Sequence, residues 1–190
     1  MLVDKLKWTR INGHWFALFG LANLACYGLS YLLPKDDYIY HFGFTSYPAR
    51  FMKPIKSMMG SDNLANIIWT APSLIIFDLY LHKRFGSLFM TKFFFFSFFS
   101  CYMFMSIFNP STGLNYRLLQ GKVPKFDSFA SDGTYYMGSD QLCQSLFYFT
   151  LLYYRYYLIT AGLVLSDVLY YGPATIGGPA AGAFAALALV

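Results

Sequence analysis

The chain has 190 residues, 57% of them apolar and only 12% charged, with a formal net charge of +5 and not one Glu. A soluble domain carries about a quarter charged residues, so this composition excludes an ordinary water-soluble enzyme. The apolar residues run in stretches long enough to cross a bilayer, which takes ~20 residues of helix. The class expected is an all-α, polytopic transmembrane bundle of about six helices. It forms a single domain, residues 1–190, because no linker or low-complexity stretch divides the chain. Phe and Tyr, at 21 and 17, exceed the needs of packing and fit the AT-rich codon usage of a protist-like genome.

In chain order, the first predicted segment runs from about Trp15 to Leu33 and stops at Pro34. The stretch Met1 to Cys26 has a basic start and an apolar core, as a secretory signal does; it is expected to stay on the chain as a signal anchor. No cleavable transit peptide is expected, since Asp4 stands early and Ser is missing. The second segment, about Leu64 to Leu81, is ended by His82-Lys83-Arg84, and the third, about Leu88 to Phe108, is closed by Asn109-Pro110. The fourth, about Ser139 to Tyr153, leads through Tyr154-Arg155-Tyr156 into a fifth, about Tyr157 to Tyr171. Gly172-Pro173 starts the sixth. These last three are short, so fewer spans, with re-entrant or buried helices under protein cover, remain an open alternative.

In the sixth segment Gly178 and Gly182 lie four apart with Gly177 and Ala181 beside them, leaving one face almost without side chains. Membrane helices use such faces to bring backbones close and pack by van der Waals contact. This helix is therefore expected inside the bundle.

Charge in short loops sets orientation. Lys5, Lys7 and Arg10, then Lys83 and Arg84, then Arg155 fall on one side. The longer loops, about Pro34 to Asn63 and Asn109 to Gly138, dilute their basic residues with Asp. Both termini should face the cytoplasm-equivalent side, which in a mitochondrion is the matrix. The same six basic residues are candidates for a phospholipid headgroup site, for example for cardiolipin.

Residues for chemistry are sparse. His14, His41 and His82 lie in different regions, with no paired-His spacing for haem and no His/Cys cluster for zinc. No metal or other cofactor is expected, and nucleic acid is not an expected partner. Cys26, Cys101 and Cys143 are apolar-segment thiols, odd in number, which argues against a disulfide scaffold. Asp78, Lys92 and Asp167 are the intramembrane charges. Each lies within a turn or so of a helix end, where snorkelling or pairing at the interface explains it.

Several of these segments together resemble the rhomboid superfamily of six-helix intramembrane proteins. Ala174-Thr175-Ile176-Gly177-Gly178-Pro179-Ala180-Ala181-Gly182 is similar to the family's Ala-His-x-Gly-Gly-x-x-x-Gly. Leu81-His82-Lys83-Arg84-Phe85-Gly86-Ser87 is similar to its Leu-Glu-x-x-Phe-Gly-Ser, and Met137-Gly138-Ser139-Asp140 to its Gly-x-Ser-Gly. The resemblance covers about Leu64 to Val190. It implies a nucleophile position at Ser139, a base position at Thr175, and oxyanion-donor positions near Asn66 and Thr70. Threonine cannot take a proton from serine at neutral pH, so these are vestigial positions and Ser139 is expected simply to cap the fourth helix.

The function expected is that of a non-catalytic accessory subunit of a large mitochondrial inner-membrane respiratory-chain complex, bound to other membrane subunits. The alternative is a free rhomboid pseudoprotease that binds or escorts membrane clients. An active intramembrane serine protease ranks last.

Overall fold

The computed structural model describes residues 13–43, 53–61, 63–107, 138–171 and 173–189. Among them all regular structure is helical: α1 (Trp15–Leu29), α2 (Lys35–Phe42), α3 (Lys53–Met59), α4 (Leu64–Ile107), α5 (Asp140–Tyr153), α6 (Tyr157–Tyr171) and α7 (Gly177–Phe184). A 3-10 turn, Pro173–Ile176, leads into α7, and a π-helical turn, Ala185–Leu189, follows it. One stretch, Leu64–Phe104, is long and apolar enough to cross a membrane; Trp15–Leu29, Tyr157–Leu169 and Gly177–Ala188 are apolar but shorter.

The long helix α4 is bent back on itself at Gly86. There φ is +81° and ψ is 170°, a region that a side chain excludes and glycine alone enters freely. The path is read from α1, which lies along both arms. Gly20 stands against Ala71, Leu74 and Ile75 of the first arm, while the neighbouring Phe19 ring meets Phe94 and Phe98 of the second. A straight helix of 44 residues would be ~66 Å long and could not do this. The helical turns run through His82-Lys83-Arg84 up to Gly86, so glycine, and not the charged triplet, ends the second segment. Each arm is then roughly 20 residues, ~30 Å of helix.

Aromatic rings fill the space between helices. Phe16 packs on Phe93 and Phe94, and Phe85, Phe89 and Phe93 all pack on Phe149 of α5. Each such pair contributes ~0.5–1.5 kcal/mol beyond its buried area. Met58, Leu74, Leu81, Met90, Leu142, Leu146 and Ala185 complete this core. The contacts also set direction: α1 runs antiparallel to the first arm, while α5 and α7 run parallel to it. The Gly86 turn, the start of α1, the end of α5 and the start of α6 share one end of the bundle.

The segment expected to be a plain loop between the first two spans holds α2 and α3. Asn23, buried in α1, donates from Nδ2 to the Met59 carbonyl at 2.8 Å and so caps the C-terminus of α3. The Tyr38 hydroxyl donates to the Ser61 carbonyl and accepts from its N–H, both at 3.1 Å. The Gly138 N–H donates to the Ser57 carbonyl at 2.8 Å, tying α3 to the start of α5.

Replacing Gly86 by Ala should lower the thermal stability of the detergent-purified protein by ~1–3 kcal/mol, the strain of forcing a side chain into that region. Gly162→Ala, in the α6 interior with open space where the methyl would go, should be neutral or stabilising by about 0.5–1 kcal/mol. Equal melting temperatures for the two variants would show that the Gly86 geometry is not required.

Candidate functional site

At the end of the bundle away from Gly86 lies a buried polar layer. Asn66 and Thr70 come from the first arm of α4, Ser97 from the second, Ser139, Gln141 and Ser145 from α5 and its start, and Thr175 from the 3-10 turn. All are at most 2% exposed. Helix register puts several at one level: Cys143 bonds Ser73, and Gly177 stands against the Gln141 side chain. Moving back from these contacts by three residues to Thr70, four to Ser139 and two to Thr175 brings all three toward the same end of the layer. The four vestigial positions named from the sequence thus fall in one buried neighbourhood.

Several hydrogen bonds of this layer are local. The Thr70 hydroxyl donates to the Asn66 carbonyl at 2.9 Å, and Ser145 Oγ to the Leu142 carbonyl at 2.7 Å. Ser100 Oγ crosses helices to the Gly177 carbonyl at 2.9 Å. Ser139 Oγ, Ser97 Oγ and both side-chain polar atoms of Gln141 have no partner among the described residues. Ser139 occupies the N-cap position of α5 but makes no side-chain cap bond, which corrects the expectation that capping is its role. The layer holds hydroxyls, amides and a thiol. Among the described residues no imidazole or amine lies in this layer, since His14 and His82 sit at the other end and His41 is in α2; the ionisable group beside Ser139 is the Asp140 carboxylate, whose charge is felt at Cys101 and Cys143.

The small-residue face lies against α5. A methyl on Gly182 would stand 2.7 Å from both the Phe149 nitrogen and the Ser145 carbonyl oxygen. One on Gly178 would collide with the Gln141 carbonyl, and one on Gly177 would come within 2.7 Å of Cys101 Cα. Ala181 is fully buried on the same helix. Residues 177, 178 and 182 advance along α7 as 141, 144, 145 and 149 advance along α5, so the two helices are parallel and in backbone contact.

The three charges within the apolar segments divide. Asp78 is fully buried, and its Oδ2 lies 2.6 Å from His14 Nδ1. The His14 ring stacks on His82 with centroids 3.8 Å apart. The carboxylate also lies at the backbone of Phe16, in the first turn of α1, where a helix end favours negative charge. Sequence separation hid this cluster. Its only trace was that His14 precedes the first apolar segment while His82 follows the second, which puts both at one end of an antiparallel pair. Asp167 accepts from the Tyr148 hydroxyl at 2.7 Å and more weakly from Gln144 Nε2 at 3.4 Å. Lys92 is exposed.

Lys83, Arg84 and Arg155 gather at the Gly86 end; Lys5, Lys7 and Arg10 lie outside the described residues. Among the described residues no group of three or more His, Cys, Asp or Glu side chains is arranged to hold a metal ion. No protein-family profile, curated protein or solved structure matches the chain.

Gly182→Leu should cost ~1–3 kcal/mol by overpacking, and even Gly182→Ala should lower the melting temperature, because backbone atoms, not flexible side chains, occupy the space. Unchanged melting and assembly of Gly182→Leu would mean that α7 does not pack on α5 as described.

Proposed function

We propose that the chain is a non-catalytic structural subunit of a large mitochondrial inner-membrane respiratory-chain assembly. In this reading it is a multi-pass protein built on a rhomboid-like bundle, with both termini on the matrix side. The observation that carries the proposal is the chemistry of the buried layer, where Thr175 lies toward the same end as Ser139. A serine nucleophile needs a neighbouring base, and a threonine hydroxyl cannot serve as one.

The outer faces support a role in packing. Leu18, Leu21 and Leu24 on α1, Ile68, Trp69, Ile76 and Leu79 on the first arm, Phe95 and Phe99 on the second, and Leu158, Leu165 and Leu169 on α6 are all exposed large apolar side chains. Contiguous apolar surface of this extent calls for lipid or protein cover. Helices of this kind, ringed by Leu, Ile and Phe, suit a subunit wedged among other membrane subunits and their lipids.

A second reading, a pseudoprotease that escorts membrane clients, is favoured by α6. That helix is exposed along most of its length and is held through Asp167 and the 3-10 turn. A helix so lightly attached could lean away to admit a client segment.

Two outcomes are expected. Purified protein should neither cleave transmembrane substrates nor react with serine-directed fluorophosphonates; stable labelling that disappears in Ser139→Ala would overturn the assignment as non-catalytic. Solubilised in mild detergent, the chain should migrate with a large complex. Its depletion should reduce the amount of that complex while leaving the turnover of the remainder unchanged. Recovery of the chain alone, or transiently with varied clients, would favour the escort reading instead.

A further inference from the structure

The Gly86 end of the bundle carries a cation held in an unusual way. Arg84, at the end of the first arm of α4, donates from Nη2 to the Tyr153 hydroxyl at 2.9 Å and from Nη1 to the Tyr154 hydroxyl at 3.3 Å. Its guanidinium carbon lies 4.9 Å from the Tyr153 ring centroid and 5.9 Å from that of Tyr154. Tyr80, one turn earlier, shares a 2.8 Å hydrogen bond with the Tyr154 hydroxyl. Three phenols therefore fix the orientation of one guanidinium. Arginine has five N–H donors, so donors are left over, and the side chain is exposed.

Among the described residues, the exposed surroundings carry positive charge without a neutralising carboxylate. Lys83 and Arg155 lie beside Arg84 along the chain or across the α5–α6 turn, and both are exposed. The nearest acid on the same helix, Asp78, is buried and engaged by His14. Arg155 adopts φ +65°, where Asn or Gly would sit with less strain. A non-glycine residue held in such a region at a surface turn points to use of its side chain. The start of α6 at Tyr157 adds the positive end of a helix.

Apolar and amphipathic groups flank these cations. Leu158 and Leu88 are 91% and 69% exposed, and Tyr156 and Tyr157 are exposed beside them. Tyrosines take this position at the level of lipid headgroups. A small soluble anion would have no use for the leucines; a phospholipid would use both parts.

We propose that this end of the bundle binds the phosphate headgroup of an anionic membrane phospholipid. Arg84 is the oriented bidentate contact, Arg155 and Lys83 are its flanking charges, and Leu88 and Leu158 meet the acyl chains. Planar guanidinium donors match phosphate oxygens in pairs, and the phenols hold the plane before the lipid arrives.

The test is native mass spectrometry of the full chain in detergent, titrated with cardiolipin, phosphatidylglycerol or phosphatidylcholine, with inorganic phosphate as a separate arm. Cardiolipin and phosphatidylglycerol should be retained at lower concentrations than phosphatidylcholine. Combining Arg84→Gln with Arg155→Asn, the latter chosen to keep the turn relaxed, should weaken retention of the anionic lipids by roughly 5-fold per charge removed. Tyr153→Phe with Tyr154→Phe keeps every charge and should weaken it less. Cardiolipin retention unchanged in the arginine double variant overturns the proposal. So does competition by inorganic phosphate at concentrations equal to those of lipid, which would make this a free-anion site. Loss of a copurifying subunit in that variant, with lipid retention intact, also overturns it by assigning the arginines to a protein carboxylate. If the variant does not fold, the wild-type preference for cardiolipin over phosphatidylcholine still decides. The proposal rests on the membrane reading above. Failure to retain any lipid removes both, whereas equal retention of neutral and anionic lipid removes this one alone.

Discussion

The bundle depends on a sharp reversal at Gly86 and on what holds the two arms of α4 together once the chain has turned. The turn itself supplies no attraction, because it only makes the reversal sterically possible. The arms are held by α1, which offers small residues to one and rings to the other. Gly20 admits the backbone of the first arm near Ala71, while Phe16 and Phe19 reach Phe93, Phe94 and Phe98 on the second. At the turn, Gly13 is the counterpart of Gly86. It has φ +97°, and a methyl there would stand 2.6 Å from Ser87 Cβ. Two glycines in conformations closed to other residues let the start of α1 and the α4 turn come into contact. His14, Asp78 and His82 then lie side by side, and the Trp15 indole N–H donates across to Thr91 Oγ1 at 3.1 Å.

This arrangement gives a fully buried carboxylate a partner on one of its oxygens. A buried charge is expensive unless it is paired and hydrogen-bonded. Asp78 Oδ2 has the imidazole of His14, and the first turn of α1 lies beside the carboxylate, while Oδ1 has no hydrogen-bond partner among the described residues. The pair also couples α1 to the first arm by a directional contact, in a region otherwise joined by non-directional aromatic packing. The second ring, His82, covers His14 from the far side. Polar interactions here set register, and the apolar contacts supply most of the attraction.

Much of the architecture was legible because it rests on composition and on glycine. The apolar runs from Trp15, Leu64, Leu88 and Tyr157 are helical with starts close to those read from the sequence, while the last, read as starting at Gly172-Pro173, passes through a 3-10 turn before α7 begins at Gly177. The small face of the last segment pointed to a close helix contact, and Gly177, Gly178 and Gly182 make one with α5 and Cys101. What was illegible depends on tertiary pairing. The short helices α2 and α3 have weak patterns of their own, and α3 is capped by Asn23 from another helix. The Asp78–His14 pair spans 64 positions in sequence, so no local spacing could reveal it. Ser139 shows the opposite failure. Its place before an apolar run has the form of an N-cap, yet its hydroxyl is buried and turned from the helix end. Local propensity suggested a partner that tertiary packing withholds.

The two ends of the bundle differ in the kind of polarity they carry, and that difference bears on what each end can do. At the end near Thr175 the fully buried polar groups are hydroxyls and amides beneath backbone contacts between α5, α7 and the second arm, with the Asp140 carboxylate beside them. Ser97, Ser139 and Gln141 there have side-chain atoms without a hydrogen-bond partner among the described residues, so the close backbone contacts of Gly177, Gly178 and Gly182, and not polar pairing, hold this arrangement of helices. At the Gly86 end, besides the buried Asp78–His14 pair, the polar groups are long and charged, and tyrosines hold Arg84 at the exposed rim. Arg84 is pinned by phenols from α5, so its position reports the packing of α5 on α4. An anion held there would in turn favour that packing, since binding to one arrangement stabilises it. The sealed layer therefore defines the bundle from within, while the rim is where its surroundings can act on it.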